Sequence, residues 1–259
     1  MNNYIALNDY ARFMEIEPGD IIFISSDARK LMWDALSNQS STDLNQFIDG
    51  LIEAVGSEGT VIFPTYNWDF CGGTPFNYKT TKCRTGALGT LALKRADFKR
   101  TKHPIYSFAV WGKYQSELCS MNNTDAFGLD SPFAFFKEHN VKNYIIDVSL
   151  MHCFTFVHFV EQHSGLVKHR YVKDFTSGYI DEHGQEHLKT YSMFVRDLDL
   201  DVQTLIDPIE PDFITQGVEK QIYINSSELK LIHLGRSYDI LLQDIVENNS
   251  RKLCTFKGQ

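Results

Sequence analysis

Between Thr155 and Glu161 the chain reads Thr-Phe-Val-His-Phe-Val-Glu, which sets a hydroxyl, an imidazole and a carboxylate at steps of three. Residues three apart on a helix share a face. Thr155, His158 and Glu161 would then point together, while Phe156, Val157, Phe159 and Val160 fill packing positions. A carboxylate beside a histidine fixes the tautomer and raises the basicity of the ring, which suits a general base near neutral pH. Thr155, near the start of the expected helix, can offer its hydroxyl and free backbone N–H groups to a developing oxyanion. The same spacing also serves a buried histidine satisfied by a helical neighbour.

Other residues carry weaker signals. Cys153, close to a histidine and a glutamate, has the makings of a nucleophile that forms an acyl intermediate, as in a thioesterase, an amidase or a ping-pong transferase. It is equally an ordinary buried thiol. Tyr66, Trp68 and Asp69 follow an expected strand end at Pro64 and either line an acceptor pocket or pack a loop. Arg170 either binds a carboxylate or phosphate of an acceptor or pairs with Asp174. No metal site is expected: His152 and His158 lie six apart, and His163 and His169 lack supporting ligands.

These side chains need elements to position them. Gly19-Asp20 marks a turn, and Ile21–Ile24 a short apolar strand that ends in Ser25-Ser26. Ser41 or Thr42 can cap a helix carrying Leu44, Phe47, Ile48, Leu51, Ile52 and Val55 at helical spacing, with Gly56 as its stop. Thr60–Phe63 is the next strand, so the three together read as a parallel βαβ unit. Residues 71–86 read as a loop, Leu88–Arg95 as a helix, Ser107–Trp111 as a strand. A turn at Phe127–Pro132 leads into a short helix through Glu138. Asn143–Val148 is an apolar strand that feeds the Thr155 segment. Gly178–Thr190 alternates like a hairpin. A strand near Leu229–Leu234 and a helix from Tyr238 close the chain. The expected architecture is α/β, a mostly parallel or mixed sheet flanked by helices, in one domain over residues 1–259.

Composition narrows the function. The chain has 259 residues, 43% hydrophobic and 22% charged, with no apolar run of membrane-spanning length. Its first twenty residues do not read as a signal peptide. Five cysteines without a CxxC pair argue against a disulfide framework and for a reducing cytoplasm. A net charge of −8 speaks against general nucleic-acid binding and suits a cationic small substrate. Basic residues cluster between Lys79 and His103, where they can hold cofactor phosphates, and acidic ones between Asp197 and Asp212, where they can hold ammonium groups. Each run also makes sense as a solvated face. A homo-oligomer is left open.

The ordered set of motifs resembles the aminoglycoside 3-N-acetyltransferase, or antibiotic N-acetyltransferase, family from about Pro18 to Lys252. The carriers are Gly19-Asp20 through Ser25-Ser26, Gly59-Thr-Val-Ile-Phe-Pro64-Thr65, Thr85-Gly86-Ala-Leu88, Arg100-Thr-Lys-His103-Pro104-Ile-Tyr-Ser107, Phe127-Gly128-Leu-Asp130-Ser131-Pro132 and the Thr155, His158, Glu161 block. The resemblance implies a family-specific α/β fold and an acetyl-CoA-dependent transferase that acylates an amino group, usually on a sugar, without a metal. It implies that Thr155, His158 and Glu161 form the catalytic block. It also implies that Ser25, Ser26, His103, Pro104 and Ser107 line the CoA channel, with Lys30 just behind the hydroxyl pair. Ile24, Asp27, Thr90 and Asp147 depart from the antibiotic-modifying members. Tyr171, Lys173, Phe175 and Gly178 instead look like members from surface-polysaccharide clusters. The expected substrate is therefore an amino sugar for a surface glycan, with an aminoglycoside antibiotic as the alternative.

Overall fold

The structure is a computed structural model and describes residues 4–256. Its helices are α1 (Arg29–Ser37), α2 (Leu44–Val55), α3 (Ala87–Ala92), α4 (Gln115–Ser120), α5 (Pro132–Glu138), α6 (Leu150–Cys153), α7 (Phe156–Ser164), α8 (Glu210–Thr215) and α9 (Leu234–Asn248). The first six strands are β1 (Ile21–Ser26), β2 (Thr60–Pro64), β3 (Phe76–Asn77), β4 (Lys99–Arg100), β5 (Phe108–Gly112) and β6 (Lys142–Ile146). The remaining six are β7 (Arg170–Ile180), β8 (Glu186–Arg196), β9 (Gln203–Thr204), β10 (Glu219–Ile224), β11 (Ser227–His233) and β12 (Cys254–Thr255).

Seven strands make one mixed sheet in the order β10-β11-β6-β1-β2-β5-β4. The central three, β6, β1 and β2, run parallel, and antiparallel strands extend the sheet on both sides. Alternation along the central strands divides the core. Ile22, Ile24, Val61, Phe63, Tyr144 and Ile146 face one layer, with Phe47, Ile48 and Leu51 of α2. Phe23, Ile62 and Ile145 face the other, with Phe133 and Phe136 of α5 and Val157 and Val160 of α7. A sheet buried on both faces needs apolar residues at every position, and the central strands supply them. Beside it, β7 and β8 form a long hairpin joined by β3. Among the described residues no helix is long and apolar enough to cross a membrane.

Several expected boundaries move, each for a local reason. The N-cap of α2 is Asp43, whose carboxylate accepts from the Asn45 N–H at 3.0 Å, rather than Thr42 or Ser41. Helix α1 has no counterpart in the sequence pattern: it buries only Leu31 and Ala35 while Trp33 and Leu36 stay exposed. The hairpin starts eight residues before Gly178, because its outer arms are largely exposed and lack the alternation of a half-buried strand. The last helix begins at Leu234, not Tyr238.

Candidate active site

Helix α7 begins one residue after Thr155 and ends at Gly165, whose φ of 63° lets the chain reverse. That reversal returns His169 and Arg170 to the helix. His158 Nδ1 lies 2.7 Å from Glu161 Oε2. Arg170 Nε lies 3.1 Å from the same oxygen, and His169 Nε2 lies 3.8 Å from Oε1. Glu161 is 1% exposed. Burial pushes its carboxyl up, but the hydrogen bond from His158, the nearby His169 ring and the charge of Arg170 outweigh that and hold it down at about 2. Burial and the Arg170 guanidinium move His158 below its ordinary 6.5, against the pull of Glu161. At neutral pH the pair is therefore carboxylate and neutral imidazole. The carboxylate can only accept, so Nδ1 must donate and Nε2 carries the lone pair. Nε2 makes no hydrogen bond among the described residues and is not sealed from solvent. The arrangement is that of an oriented general base.

Two cavities reach neighbours of this pair, Thr155 in one case and Arg170 in the other, and neither wall includes His158 or Glu161. One, of about 500 Å³, opens at the C-terminal ends of the parallel strands, the customary ligand position in α/β sheets. Ser25 and Ser26 of β1, Arg29 of α1, Tyr66, Arg84 and Thr155 stand on its wall. The Thr155 hydroxyl does not cap its own helix. Beside it the buried Tyr66 hydroxyl faces Thr155 without closing a full hydrogen bond. The other cavity, of about 570 Å³, is reached through Arg170, the ion-pair partner of Glu161. Thr155 thus connects the first cavity to the catalytic helix, and Arg170 connects the second to Glu161.

The sequence profile of the aminoglycoside 3-N-acetyltransferase family matches residues 26–244. The chain belongs to this family. It is an acyltransferase. No curated protein matches the sequence. Three solved structures share the fold. AAC-VIa with bound sisomicin is 17% identical, covers 93% of this chain and 97% of its own, and has a TM-score of 0.77. AAC-IIIb in binary complex with CoASH is 15% identical, covers 95% and 98%, and has a TM-score of 0.76. The YokD protein from Bacillus subtilis is 17% identical, covers 97% of each chain, and has a TM-score of 0.75.

In this acetyltransferase-family chain the remaining expected residues divide between cavity wall and scaffold. Ser25, Ser26 and Tyr66 are on the wall of the first cavity. The expectation that His103, Pro104 and Ser107 line a channel is corrected, because all three are sealed in the core. His103 Nδ1 accepts from the Ile105 and Tyr106 N–H groups, and burial pushes the ring down to about 3, so it stays neutral. Ser107 Oγ accepts from Arg100 Nε at 2.9 Å and donates to the Thr65 carbonyl. Lys30 is also corrected: it binds Asp147 at 2.8 Å and is not on the cavity wall. Asp69 pairs with Arg84 at 2.8 Å and lines a neighbouring hollow instead. Arg170 pairs with Glu161, not Asp174. The basic run disperses: Arg95 binds Asp49 and Asp97, Arg100 is buried, and only Arg84 reaches the first cavity. The acidic run disperses too, with Glu210 on Lys230 and Asp212 on Lys252.

Sequence reasoning missed Arg29 on the cavity wall, and the roles of His169 and Arg170 as partners of Glu161. The Gly165 turn is the one local signal for that return, since its sharp reversal, four residues after Glu161, brings back His169 and Arg170, eight and nine residues after it. Cys153 does reach the first cavity, but burial pushes its thiol up to about 12 and its Sγ donates to the Ser149 carbonyl at 3.3 Å. A thiol so held is a poor nucleophile. Cys153→Ser should retain at least half of wild-type acyl transfer, measured as acceptor-dependent thiol release; loss of nearly all activity would restore the covalent route.

Proposed function

We propose that this enzyme transfers an acetyl or related short acyl group from acetyl-CoA to the amino group of an amino sugar destined for a surface glycan. The observation that carries the reading is the His158–Glu161 pair, with Nε2 free of any hydrogen bond among the described residues and a cavity at the neighbouring Thr155. The first cavity suits the coenzyme. Its arginines, Arg29 and Arg84, are exposed and paired with Asp27 and Asp69, partners that phosphates can replace, and its hydroxyls, Ser25 and Ser26, can meet the pantetheine arm. The acceptor amine attacks the thioester carbonyl carbon. A C–N bond forms, His158 Nε2 takes the proton from nitrogen, and the tetrahedral intermediate expels CoA as thiolate with cleavage of the C–S bond. Glu161 orients the imidazole and stabilises the imidazolium. The thiolate then takes up a proton.

The intermediate carries an oxyanion, and Thr155, beside Tyr66 on the cavity wall, has a hydroxyl that can donate to it. Such a donor contributes about 3 kcal/mol to the barrier. Thr155→Ala should therefore lower kcat by roughly 100-fold, with Thr155→Ser recovering most of it. Equal turnover in Thr155→Ala would remove the hydroxyl from the mechanism.

The direct test is release of thiol from acetyl-CoA against a panel of amines. Release that depends on an amino sugar supports the reading; release without amine would favour hydrolysis. Tyr171, Lys173, Phe175 and Gly178 support a glycan precursor. A second reading, an aminoglycoside antibiotic as acceptor, draws support from the family itself, and the same panel decides between them.

A further inference from the structure

We infer that the second cavity is an acceptor subsite for an anionic group, a phosphate or a carboxylate, held by Arg196; this rests on the acyl-transfer reading above. The cavity has about 570 Å³, within the range of small-molecule sites, and Arg170, Arg196, Asp201, Gln203 and Thr204 line it. Arg170 and Arg196 are direct cross-strand partners in the β7–β8 hairpin. Such partners project from one face of the sheet with Cβ atoms roughly 5 Å apart. Like charges so placed destabilise a sheet. For Arg170 the conflict is resolved inside the protein. Its Nε faces Glu161 at 3.1 Å and its Nη2 donates to Thr204 at 2.8 Å.

Arg196 has no such resolution. It is exposed and makes no ion pair among the described residues. An anionic ligand would supply the missing counter-charge and gain a planar, bidentate donor. Asp201 also lines the cavity, so the anion must bind on the arginine side. The position matters because Arg170 bridges this cavity to the catalytic pair. An acceptor anchored on Arg196 has its anion one side chain beyond the partner of Glu161. The protein as a whole carries a charge of −8, which repels anions, so an anionic acceptor needs a dedicated arginine. A polycationic acceptor would instead meet the exposed Arg196 guanidinium here. The acceptor class that fits is an amino sugar carrying a nucleoside diphosphate or a carboxylate.

The test is calorimetric titration of the full chain, with CoA saturating its own cavity, using uridine diphosphate and glucuronate as separate probes. One of them should bind the wild type and bind Arg196→Gln at least tenfold more weakly, and which one binds identifies the source of the anion. Binding of neither probe, or equal binding to both proteins, would overturn the inference. Circular dichroism of Arg196→Gln checks that the exposed substitution leaves the fold intact, and Arg196→Lys should recover part of the affinity. The same proteins are then assayed for thiol release with amino sugars in unsubstituted, uronic and nucleotide-linked forms. The anionic form should have at least a tenfold advantage in kcat/KM that resides in KM and disappears in Arg196→Gln. Anion binding at Arg196 without any acceptor-dependent turnover would strike down the acyl-transfer reading alone.

Discussion

Replacing His158 with alanine should lower kcat by 100-fold or more while the protein still binds CoA and keeps its fold. The expectation follows from the position of the ring. Nδ1 is committed to Glu161 at 2.7 Å, and Nε2 makes no hydrogen bond among the described residues. General bases contribute about 10²–10⁴-fold. The assay is thiol release at saturating acetyl-CoA and amino sugar; turnover within a few-fold of wild type would end the assignment. The pH profile offers an independent check. Burial and Arg170 lower the His158 pKa, so the base remains neutral below the ordinary histidine value of 6.5. The acid limb of kcat/KM for the wild type should therefore lie below pH 6.5. It should be missing from the residual activity of His158→Ala. An acid limb at or above 6.5 would contradict this environment.

Replacing Glu161 should have the largest effect on stability. Its carboxylate is buried against His158, His169 and Arg170, so truncation to alanine leaves the Arg170 guanidinium, itself only 7% exposed, without a counter-charge. Breaking a buried pair from one side costs about 3–5 kcal/mol. For a chain of this size that corresponds to a fall of roughly 6–20 °C in Tm. Catalysis should fall as well, by about 10²–10⁴-fold, because the imidazole loses the partner that holds its tautomer. The two roles can be separated. Glu161→Gln combined with Arg170→Gln should recover much of the stability of Glu161→Gln alone but none of its turnover. Recovery of both would reduce Glu161 to a structural role.

The sign of the pH dependence follows from the depressed pKa of Glu161. Folding stabilises its ionised form, so its contribution is fully present above the unfolded value near 4.5 and is lost as pH falls towards about 2. Urea midpoints between pH 5 and pH 2 should decline more steeply for the wild type than for Glu161→Gln. Parallel declines would show that the carboxylate is not held as its surroundings require.

Much of this protein is local in origin. The apolar runs of β1, β2 and β6 and the 3.6-residue stripe of α2 specify their elements through burial, a property that each segment carries in its own spacing. The Thr155, His158 and Glu161 triplet belongs to the same class, because one helix turn is enough to bring the imidazole and carboxylate together. What spacing along the chain cannot express is which distant side chain meets a given charge. Arg170 reaches Glu161 by way of the Gly165 reversal. Lys30 is taken up by Asp147 across 117 residues. Arg100 is held in the core by Ser107 and the Thr65 carbonyl. Each of these basic groups has the composition of a ligand contact, and each is satisfied internally. His103 and Ser107 have polar atoms suited to a channel, yet the loops around them close over and bury them.

Chain order and residue type alone determine the sheet-and-helix class, the helix that carries the base, and the pairing of base with orienting carboxylate, because these depend on contacts within a few residues. The tertiary structure alone decides which arginines stand on a cavity wall, which hydroxyls join them there, and which charges meet Glu161. Those outcomes depend on long-range packing and on competition among buried charges for partners, and no local spacing encodes either.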